Sequence, residues 1–386
     1  MIGAGIGGLA AAAGLSEAGW DVTAFERAAS LEPVGAGLGL GPNGLKALDA
    51  LGVGDAARAH SIDQEIGIRR PDGRWLIRSS TGRMMADRFG DPVILLMRAD
   101  VIDALAGRLP DGVLSLSTEV KSVSADGHVV TDTGGEVDAD LVVAADGIRS
   151  PARAALFPGH PGLTYSGTTT WRFVTPVLEG PAPEMSETWG AGVVFGVMPL
   201  SGGRVYCYAG GPAAPGGGDG DQLAEMKGMF GGWHPPIPSL LATVSSADVL
   251  RLDVSELARP LPSFQAGRVA FLGDAAHPMT PNLGQGACQA LEDAVVLSRL
   301  LTGASGASGA SAEAVPAVLE RYSATRMPRT HMIVKRSHQM GRMTTWTSPV
   351  AIALRNTLVS VVGKISPNAA LAGTAQVFDW EPPAPG

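Results

Sequence analysis

Hydrophobic and polar positions change their spacing twice along the chain. In the first third, an Ala-rich helical run at 9–18 and an apolar strand at 21–25 follow a short apolar start, as in a βαβ unit. Residues 164–265 contain short runs with a period of two, which is typical of an antiparallel sheet. A buried strand at 268–272 and a long helix at 285–301 then restore the first pattern. The sequence therefore predicts an α/β fold interrupted by a β-rich region.

This change of spacing divides the chain into three parts. We predict an α/β domain of residues 1–68, 95–163 and 266–335, a β-rich domain of 69–94 and 164–265, and a C-terminal helical segment of 336–386. Apolar positions in 350–365 fit one face of a helix packed on a domain, and this run is too short and too interrupted to span a membrane. The Gly-rich stretches 210–221 and 303–314 predict surface loops.

Composition narrows the class of partner. The 29 basic and 37 acidic residues give a net charge of −8, which disfavours nucleic acid and anionic membrane surfaces as partners. The two cysteines, Cys207 and Cys288, exclude a disulfide framework. No secretory leader is recognisable before the first motif. We therefore expect a cytoplasmic protein, monomeric or homodimeric, that binds small molecules and has no stable membrane association.

Three glycines at the start of the Ala-rich helix have the spacing of a dinucleotide-binding turn. Gly3, Gly5 and Gly8 form G-x-G-x-x-G, in which the glycines allow a tight turn, close approach of a pyrophosphate and close helix packing. Glu26 ends the next strand, where its carboxylate can accept hydrogen bonds from a ribose. Its charge disfavours a 2′-phosphate, although the adjacent Arg27 leaves that alternative open. This motif alone does not separate NAD from FAD.

The strand before these glycines is unusually short. Only Met1 and Ile2 precede Gly3, whereas strands usually have about 5–6 residues. We expect either that the natural chain begins upstream of Met1 or that this strand is abnormally short.

Two more predicted strands end in carboxylates. Asp146 follows the apolar run 141–145, and Asp274 follows the strand at 268–272. Ligands of open α/β sheets bind at the carboxyl ends of the strands. Pro281 then stiffens the loop, and residues 284–286 (Gly-Gln-Gly) open the long helix, whose first amides face across that loop. Each turn alone can be structural, but together they predict one ligand site.

Together the three motifs resemble those of the class A FAD-dependent monooxygenases, the single-component aromatic hydroxylases of the p-hydroxybenzoate hydroxylase fold. Within that family the chain is most similar to the urate hydroxylase, salicylate hydroxylase and zeaxanthin epoxidase-like members. The resemblance implies a Rossmann-like FAD-binding domain, interrupted by a β-rich substrate domain and followed by C-terminal helices. The chain shows no second nucleotide-binding unit, which fits a family in which NADH or NADPH binds transiently.

The resemblance also implies which residues bind FAD. The first motif would hold the ADP portion, Asp146 would serve both FAD and the reductant, Asp274 would hold the ribityl chain, and residues 281–287 would line the isoalloxazine. Arg98 matches an arginine that opens a helix and contacts FAD. The implied cofactor-binding residues are Gly3, Gly5, Gly8, Glu26, Arg27, Arg98, Val120, Asp146, Asp274, Pro281, Gly284, Gln285, Gly286 and Ala287.

In such enzymes NADH or NADPH reduces FAD, oxygen adds to the flavin, and the C4a-hydroperoxide transfers an oxygen atom. The resemblance thus implies hydroxylation or epoxidation of an aromatic or polycyclic small molecule. Two alternatives stay open: a flavin oxidoreductase without oxygen insertion, similar to geranylgeranyl reductase, and a non-catalytic flavoprotein. The sequence does not specify the substrate or the choice between NADH and NADPH.

The β-rich region supplies the expected substrate residues. Strand alternation places Arg204, Tyr206 and Tyr208 on one face, and this segment resembles one that reaches the urate site in urate hydroxylases. The expected substrate residues are Trp171, Arg172, Trp189, Phe195, Arg204 and Tyr206, and the catalytic candidates are Arg204, Tyr206 and Pro281. His277 is expected to fix a loop, and the sequence has no His/Cys pattern typical of a metal site.

Overall fold

The computed structural model describes residues 1–31, 37–62, 66–78, 81–302, 314–365 and 375–384. The helices are α1 (Ile6–Glu17), α2 (Pro42–Ala50), α3 (Gly54–Arg58), α4 (Thr81–Phe89), α5 (Arg98–Ala106), α6 (Pro151–Leu156), α7 (Gln222–Phe230), α8 (Ile237–Leu241), α9 (Gly286–Thr302), α10 (Val315–Thr344) and α11 (Pro349–Ile365). Short 3₁₀ turns cover Ser201–Gly203, Ser246–Asp248, Gly273–Ala275 and Pro281–Leu283.

The strands belong to several sheets. They are β1 (Ala24–Phe25), β2 (Gly37–Leu40), β3 (Gly67–Arg69), β4 (Trp75–Arg78), β5 (Ile94–Met97), β6 (Leu114–Ser115), β7 (Val120–Val123), β8 (His128–Thr131), β9 (Glu136–Asp138), β10 (Val142–Ala144), β11 (Leu163–Val174), β12 (Ser186–Trp189), β13 (Val194–Pro199), β14 (Val205–Pro212), β15 (Leu250–Leu257), β16 (Gln265–Ala266) and β17 (Val269–Phe271). Two smaller groups are the β2–β5 pair and the β7–β8–β9 meander.

One sheet is parallel through its centre. β10 pairs in parallel with β17, and β1 pairs in parallel with β6. Ile2 joins these pairs by single bridges to Phe25 and Ala144, and both explanations given for the short first strand stay predictions. β16 adds an antiparallel edge next to β17. This sheet confirms the α/β fold class and brings the predicted motif turns to one edge.

α1 packs closely on α9 because its residues are small. A Cβ at Gly7 would lie 2.6 Å from Leu272 Cδ1, and a Cβ at Gly14 would lie 2.7 Å from Ser298 Oγ of α9. The alanines 10–12 between them are fully buried. The Ala-rich run is therefore a helix buried on all sides rather than an amphipathic surface helix.

The β-rich region forms a seven-stranded sheet in the order β15–β11–β14–β13–β12–β3–β4. Neighbours are antiparallel except β12 and β3, which are parallel. One face packs on α7 and α8 through a core that includes Trp171, Phe173, Phe195 and Phe230. Since side chains alternate along a strand, the residues between these core positions face the opposite side, where the cavity described below lies.

The predicted domain limits stay a prediction. β3 already belongs to the seven-stranded sheet from Gly67 onward, and α10 crosses the predicted limit between 335 and 336 as one helix. Of the two Gly-rich stretches, 303–313 lies outside the described residues, whereas 210–221 completes β14 and continues in turns.

α11 covers the predicted C-terminal helix and packs on β4. Its Arg355 is buried, donates to the Gly190 carbonyl at 3.2 Å, and lies over the Trp189 ring. The opposite face leaves apolar side chains exposed: Val350, Leu354, Leu358 and Val361. Within the described ranges, no helix combines the length and apolar character that crossing a bilayer requires.

Candidate functional site

The carboxyl ends of the central parallel strands meet at one crevice. Gly3 follows Ile2, Asp146 follows β10, and the turn Gly273–Ala275 follows β17. A cavity of about 660 Å³ opens at this edge and continues along the inner face of the seven-stranded sheet. Ligands of open α/β sheets bind at such an edge, so the structure brings all three sequence motifs to one place.

Two glycines of the first motif allow close backbone contacts. Gly3 has φ +93°, and a Cβ there would lie 2.6 Å from the Ala145 carbonyl oxygen. A Cβ at Gly8 would lie 2.0 Å from the Gly3 carbonyl oxygen. At Gly5, by contrast, the nearest atom to an added Cβ would be Arg98 Nη2 at 4.0 Å. Gly3 and Gly8 are therefore required by the fold, whereas Gly5 borders open space for a ligand.

The first turn of α1 is prepared for an anion. Gly5 is its N-cap, no side chain caps it, and its first turn has no acidic residue. Its amides and the positive end of the helix dipole favour a negatively charged group. Arg98 lines the same cavity; burial lowers the pKa of this guanidinium, and the nearby Asp274 opposes that shift. A pyrophosphate fits this combination of free donors and positive charge.

Glu26 is held in place at the end of β1. Its two carboxylate oxygens accept from the amides of Ala4 at 2.8 Å and Ala28 at 2.9 Å. Each oxygen retains a lone pair for a hydroxyl group. The Arg27 side chain is exposed, and Val120 is half-buried at the start of β7. These three predicted residues do not line the cavity, and their contacts with an adenosine stay predictions.

One carboxylate oxygen of Asp146 has no hydrogen-bond partner in the part of the chain that the structure describes. Its Oδ2 accepts from the Ala152 amide at 3.0 Å, whereas its buried Oδ1 lacks a partner among the described residues. Burial raises the pKa of this carboxyl group. Arg153 donates to the carbonyls of Asp274 and Ala275 at 3.2 and 2.9 Å, which ties the second motif to the third.

The third motif lies along the floor of the cavity. The cavity is lined there by Asp274, Pro281, Gly284, Gln285, Gly286 and Ala287. Gly284 has φ +61°, which favours glycine and turns the chain into α9. Gln285 is buried, and its Oε1 accepts from Asn43 Nδ2 at 2.9 Å. A Cβ at Gly286 would meet nothing within 4 Å, so the helix start faces open space.

Behind this turn lies a buried acid pair that the sequence analysis missed. Asp293 accepts from the Gly273 amide at 2.9 Å and from Arg326 Nε at 2.6 Å, and His277 Nε2 lies 2.6 Å from it. His277 thus fixes a loop, as expected. Glu292 accepts from Arg326 Nη1 at 2.6 Å and from Arg329. Burial raises the pKa of both acids, but the surrounding cations outweigh this and leave each pKa below its ordinary value.

The inner face of the seven-stranded sheet carries a row of register neighbours. Glu187 on β12 is opposite Gly196 on β13, which is opposite Tyr208 on β14, which is opposite Arg172 on β11. Glu187, Tyr208 and Arg172 line the cavity. Tyr206, two residues from Tyr208, also lines it, so two of the three residues predicted to share one strand face do so.

The structure separates the predicted substrate residues. Arg172 and Tyr206 line the cavity, whereas Trp171 and Phe195 are fully buried in the core on the other face. Trp171 and Arg172 are consecutive on β11, so only one of them can face the cavity. Trp189 is buried against Arg355 and does not line the cavity.

Arg204 also lies away from the cavity, although it was predicted as catalytic. It is exposed and precedes β14, which begins at Val205. Gly202 and Gly203 both have positive φ, so the chain turns there. The Arg204 backbone is itself extended, but the residue lies outside β14 and its side chain is exposed.

Glu187 is a site residue that the sequence analysis missed. Burial raises its pKa to about 7, while Trp189 and Tyr208 oppose that shift. A signal was present, since Glu187 is the single charged residue of its short strand, Ser186–Trp189. Residues at the end of α10 and directly after it were missed as well, because the sequence predicted no contact between this helix and the β-rich region: His338, Gly341, Arg342, Thr344 and Thr345.

Metal and thiol chemistry have no support at this site. No group of three His, Cys, Asp or Glu residues with the geometry to hold a metal ion occurs in the described part of the chain. Cys207 and Cys288 are both buried, and burial raises the pKa of the Cys288 thiol to about 12. Neither cysteine is therefore a reactive thiolate.

Comparison with known proteins identifies the cofactor and the reaction class. Residues 1–337 match the family described as "FAD binding domain". The chain is 39% identical over 368 residues to an aurachin C monooxygenase/isomerase of Stigmatella aurantiaca, covering 94% of this chain and 93% of that one. It is 35% identical over 380 residues to a 2-heptyl-3-hydroxy-4(1H)-quinolone synthase of Pseudomonas aeruginosa, with 94% of each chain covered.

Solved structures agree with these relatives. The crystal structure of Klebsiella pneumoniae HpxO complexed with FAD and uric acid superimposes with a TM-score of 0.86 at 26% identity, over 98% of this chain and 95% of that one. A salicylate hydroxylase substrate complex gives a TM-score of 0.75 at 25% identity, over 99% and 98% of the two chains. Both likenesses extend over the β-rich sheet as well as the parallel sheet.

The residues of the crevice fit FAD. The uncapped turn of α1 suits the pyrophosphate, the Asp274 carboxylate suits a polyol chain, and the open start of α9 suits a flat ring system. The site and the matches thus agree on cofactor and chemistry. The chain belongs to the FAD-binding-domain family and is a flavin-dependent monooxygenase of the single-component class that hydroxylates aromatic or heterocyclic small molecules.

Proposed function

We propose that this enzyme uses NADH or NADPH as reductant and hydroxylates a nitrogen-heteroaromatic ring that carries an apolar substituent. The observation that carries the proposal is the inner face of the seven-stranded sheet. There the polar groups of Arg172, Glu187 and Tyr208 face the same cavity as the flavin turn at 284–287, next to a set of hydrophobic side chains. A reductant of this kind is available in the cytoplasm, where we propose that the enzyme acts.

The apolar wall suits a substrate larger than a single polar ring. Hydrophobic side chains surround the polar row: Ile66, Met85, Val93, Leu95, Met185, Val194, Met198 and Val254. Ile66 and Val93 are 39% and 40% exposed, so apolar surface remains available to a ligand. Methionines adapt their shape to irregular apolar groups. An alkyl or isoprenoid substituent would cover this surface and gain the free energy of apolar burial.

Two relatives support the heteroaromatic part of the proposal. The name of the Pseudomonas enzyme denotes a 4(1H)-quinolone with a heptyl chain and a hydroxyl group, and its alignment with this chain covers 94% of each sequence. Another relative, from Bordetella bronchiseptica, is named 6-hydroxynicotinate 3-monooxygenase and is 31% identical over 323 residues. Such rings combine a flat aromatic body with ionisable N–H or O–H groups, for which the polar row supplies partners.

The cofactor turns have defined tasks in this proposal. We assign the pyrophosphate to Gly5 and the first turn of α1, the ribityl chain to Asp274, and the isoalloxazine to the residues 284–287. FAD held there would supply the redox chemistry, with the nicotinamide as electron donor and oxygen as acceptor. The protein would orient the substrate ring against the flavin. Exclusion of water from the cavity would limit the release of activated oxygen as peroxide.

A coupled assay tests the proposal. Purified FAD-loaded enzyme is mixed with NADH or NADPH and 2-heptyl-4(1H)-quinolone, and reductant oxidation, oxygen uptake and product mass are followed. We expect ring-dependent reductant oxidation, equimolar oxygen uptake and a product heavier by one oxygen atom. Reductant oxidation without oxygen uptake would support the reductase alternative instead. The absence of any quinolone-dependent change would reject the proposed substrate class.

A further inference from the structure

Glu187 lies at one end of a row of residues that are register partners across neighbouring strands. The row runs Glu187, Gly196, Tyr208, Arg172 over four neighbouring strands. Three of these residues have side chains, and all three line the cavity. The row therefore places an acid, a phenol and a guanidinium side by side on the wall that faces the flavin turn.

Gly196 lets the phenol reach the acid. A Cβ at Gly196 would lie 2.2 Å from Tyr208 Cε1 and 2.3 Å from Tyr208 Cζ. The Tyr208 ring thus lies flat across β13, in the space that any other residue would occupy. Its hydroxyl group interacts with the Glu187 carboxyl on the far side of that strand. The arrangement thus positions the acid through a phenol.

The surroundings set the roles of the two groups. Burial raises the pKa of Tyr208 well above its ordinary value, so the phenol keeps its proton and donates. The other charged groups that face this cavity lie on different elements: Arg172 on β11, Arg98 on α5, Asp274 after β17, and His338 and Arg342 on α10. Arg172 is the cation in the row and lies next to Tyr208 in register.

We propose that Glu187 is the general base that accepts a proton from an N–H or O–H group of the aromatic substrate, and that Arg172 holds the resulting anion. The proposal rests on the proposed function and names the catalytic group within that site. The substrate N–H or O–H bond breaks, its electron pair delocalises into the ring, and an O–H bond forms on Glu187, which later releases the proton to solvent.

This step would make the ring a better acceptor of electrophilic oxygen. An anionic heteroaromatic ring carries more electron density at its carbon atoms than the neutral ring does. General-base assistance of this type contributes about 10²–10⁴-fold to a rate. The base works best when its pKa is near the operating pH, and Glu187, at about 7, meets this condition.

The test compares Glu187→Gln, Glu187→Asp and a control, Glu184→Gln. Glu184 is exposed and pairs with Arg69 and Arg78 outside the cavity. The wild type and the control should show kcat/KM for 2-heptyl-4(1H)-quinolone rising with pH through an apparent pKa near 7. Glu187→Gln should lose about 100-fold, and its remaining rate should keep rising with pH. Glu187→Asp should recover part of the rate and the pH dependence.

A second measurement does not depend on turnover. With oxidised holoenzyme titrated across pH, difference spectra should show the phenolate fraction of bound 4-nitrophenol levelling off above about pH 7 in the wild type, where Glu187 and the ligand share one proton, and rising to full ionisation in Glu187→Gln. FAD content and unfolding temperature of each variant show whether the fold is kept. If Glu187→Gln matches the wild type in pH profile and in ionisation of 4-nitrophenol, the proposal is wrong. If the wild type shows no turnover of the quinolone but ionises bound 4-nitrophenol as described, only the proposed substrate is wrong.

Discussion

At the scale of single residues, the site combines side chains fixed by the fold with surfaces left open for ligands. Asp274 is held through its backbone carbonyl, which accepts from Arg153, while its carboxylate is exposed into the cavity. Glu26 is held through both of its oxygens and still has lone pairs to offer. In both residues, contacts within the protein fix the position of the carboxylate before a ligand binds.

Asp274→Ala should weaken the retention of FAD. The carboxylate is the polar group on the cavity side of the turn Gly273–Ala275, and its loss removes charge-assisted hydrogen bonds of about 1.5–3 kcal/mol. The measurement is the ratio of flavin to protein absorbance after gel filtration, together with the Kd of FAD for the apoprotein. Asp111→Ala, at an exposed position that does not line the cavity, is the control. Full occupancy and unchanged affinity in the Asp274 variant would contradict the assignment.

Gly196→Ala should reduce turnover but retain FAD. The new methyl group would push the Tyr208 ring away from Glu187, and displacement of a positioned group by about 1 Å can cost about 100-fold in rate. Steady-state kcat/KM and flavin content are the two readouts. Gly228→Ala in α7, where an added Cβ meets open space, should leave both unchanged. Equal kinetics in the Gly196 variant would show that the Tyr208 position is not needed.

At the scale of elements, the sequence specifies what depends on local periodicity and misses what depends on pairing between distant segments. The predicted helix at 285–301 matches α9, and the predicted strand at 268–272 contains β17. The predicted helix at 9–18 begins earlier in the structure, at Ile6, because the last glycine of the motif already lies in its first turn. The motif glycines could be predicted from the sequence because their roles depend on the conformation of a short backbone segment.

Glu187 and α10 show why the rest was not predictable. The role of Glu187 depends on the register of β12, β13 and β14, and no local pattern in a four-residue strand sets that register. Arg204 was misplaced for the related reason that the strand start depends on the turn before it. The contacts of α10 at Gly341 arise because a glycine there admits Asn282, where a Cβ would lie 2.6 Å from Asn282 Oδ1.

Asp293→Asn should destabilise the junction of α9, α10 and the Asp274 turn. It removes the charge that pairs with Arg326 and His277 in a fully buried place, and breaking such a pair costs about 3–5 kcal/mol. Urea unfolding followed by circular dichroism measures the loss. Asp140→Asn, at an exposed and loosely paired surface acid, should change stability by less than about 0.5 kcal/mol. A loss no larger than that of the control would contradict the assigned role.

The same junction predicts an acid-sensitive fold. The pKa values of Glu292 and Asp293 are lower in the folded state than their ordinary values of 4.5 and 3.8. Their stabilisation is therefore complete above the unfolded values and is lost as the pH falls through them toward the folded values. Unfolding free energy should drop on acidification in the wild type and drop less steeply in Asp293→Asn. Parallel curves for the two proteins would assign the acid sensitivity to other groups.

At the scale of the whole molecule, one helix connects the two regions that the reaction needs. α10 carries Arg326 and Arg329 near the cofactor turn and, farther along, His338 and Arg342 in the cavity wall. Its Ser337 hydroxyl donates to the Thr280 carbonyl between these two places. The cofactor turns and the substrate wall are thus braced against the same rigid element.

FAD should therefore stabilise the entire described fold rather than one part of it. A ligand that binds only the folded state at 100 times its Kd adds about 2.7 kcal/mol. Added FAD should raise the Tm measured by Trp fluorescence and the Tm measured by far-ultraviolet circular dichroism. The two Tm values should rise by the same amount. A shift in one signal alone would show that the two regions unfold independently.

The far end of the chain is joined to the same junction. Arg329, which pairs with Glu292, also donates to the carbonyls of Gln376 and Val377 at 2.9 and 2.8 Å, and Phe378 packs where a Cβ at Gly41 would stand. Truncation of the carboxyl terminus, or fusion of a reporter protein to it, would consequently disturb the contacts that hold the FAD-binding turn in place. Yellow colour lost during purification of such a fusion would be the first sign, and a tag placed beyond residue 384 behind a flexible spacer should spare it.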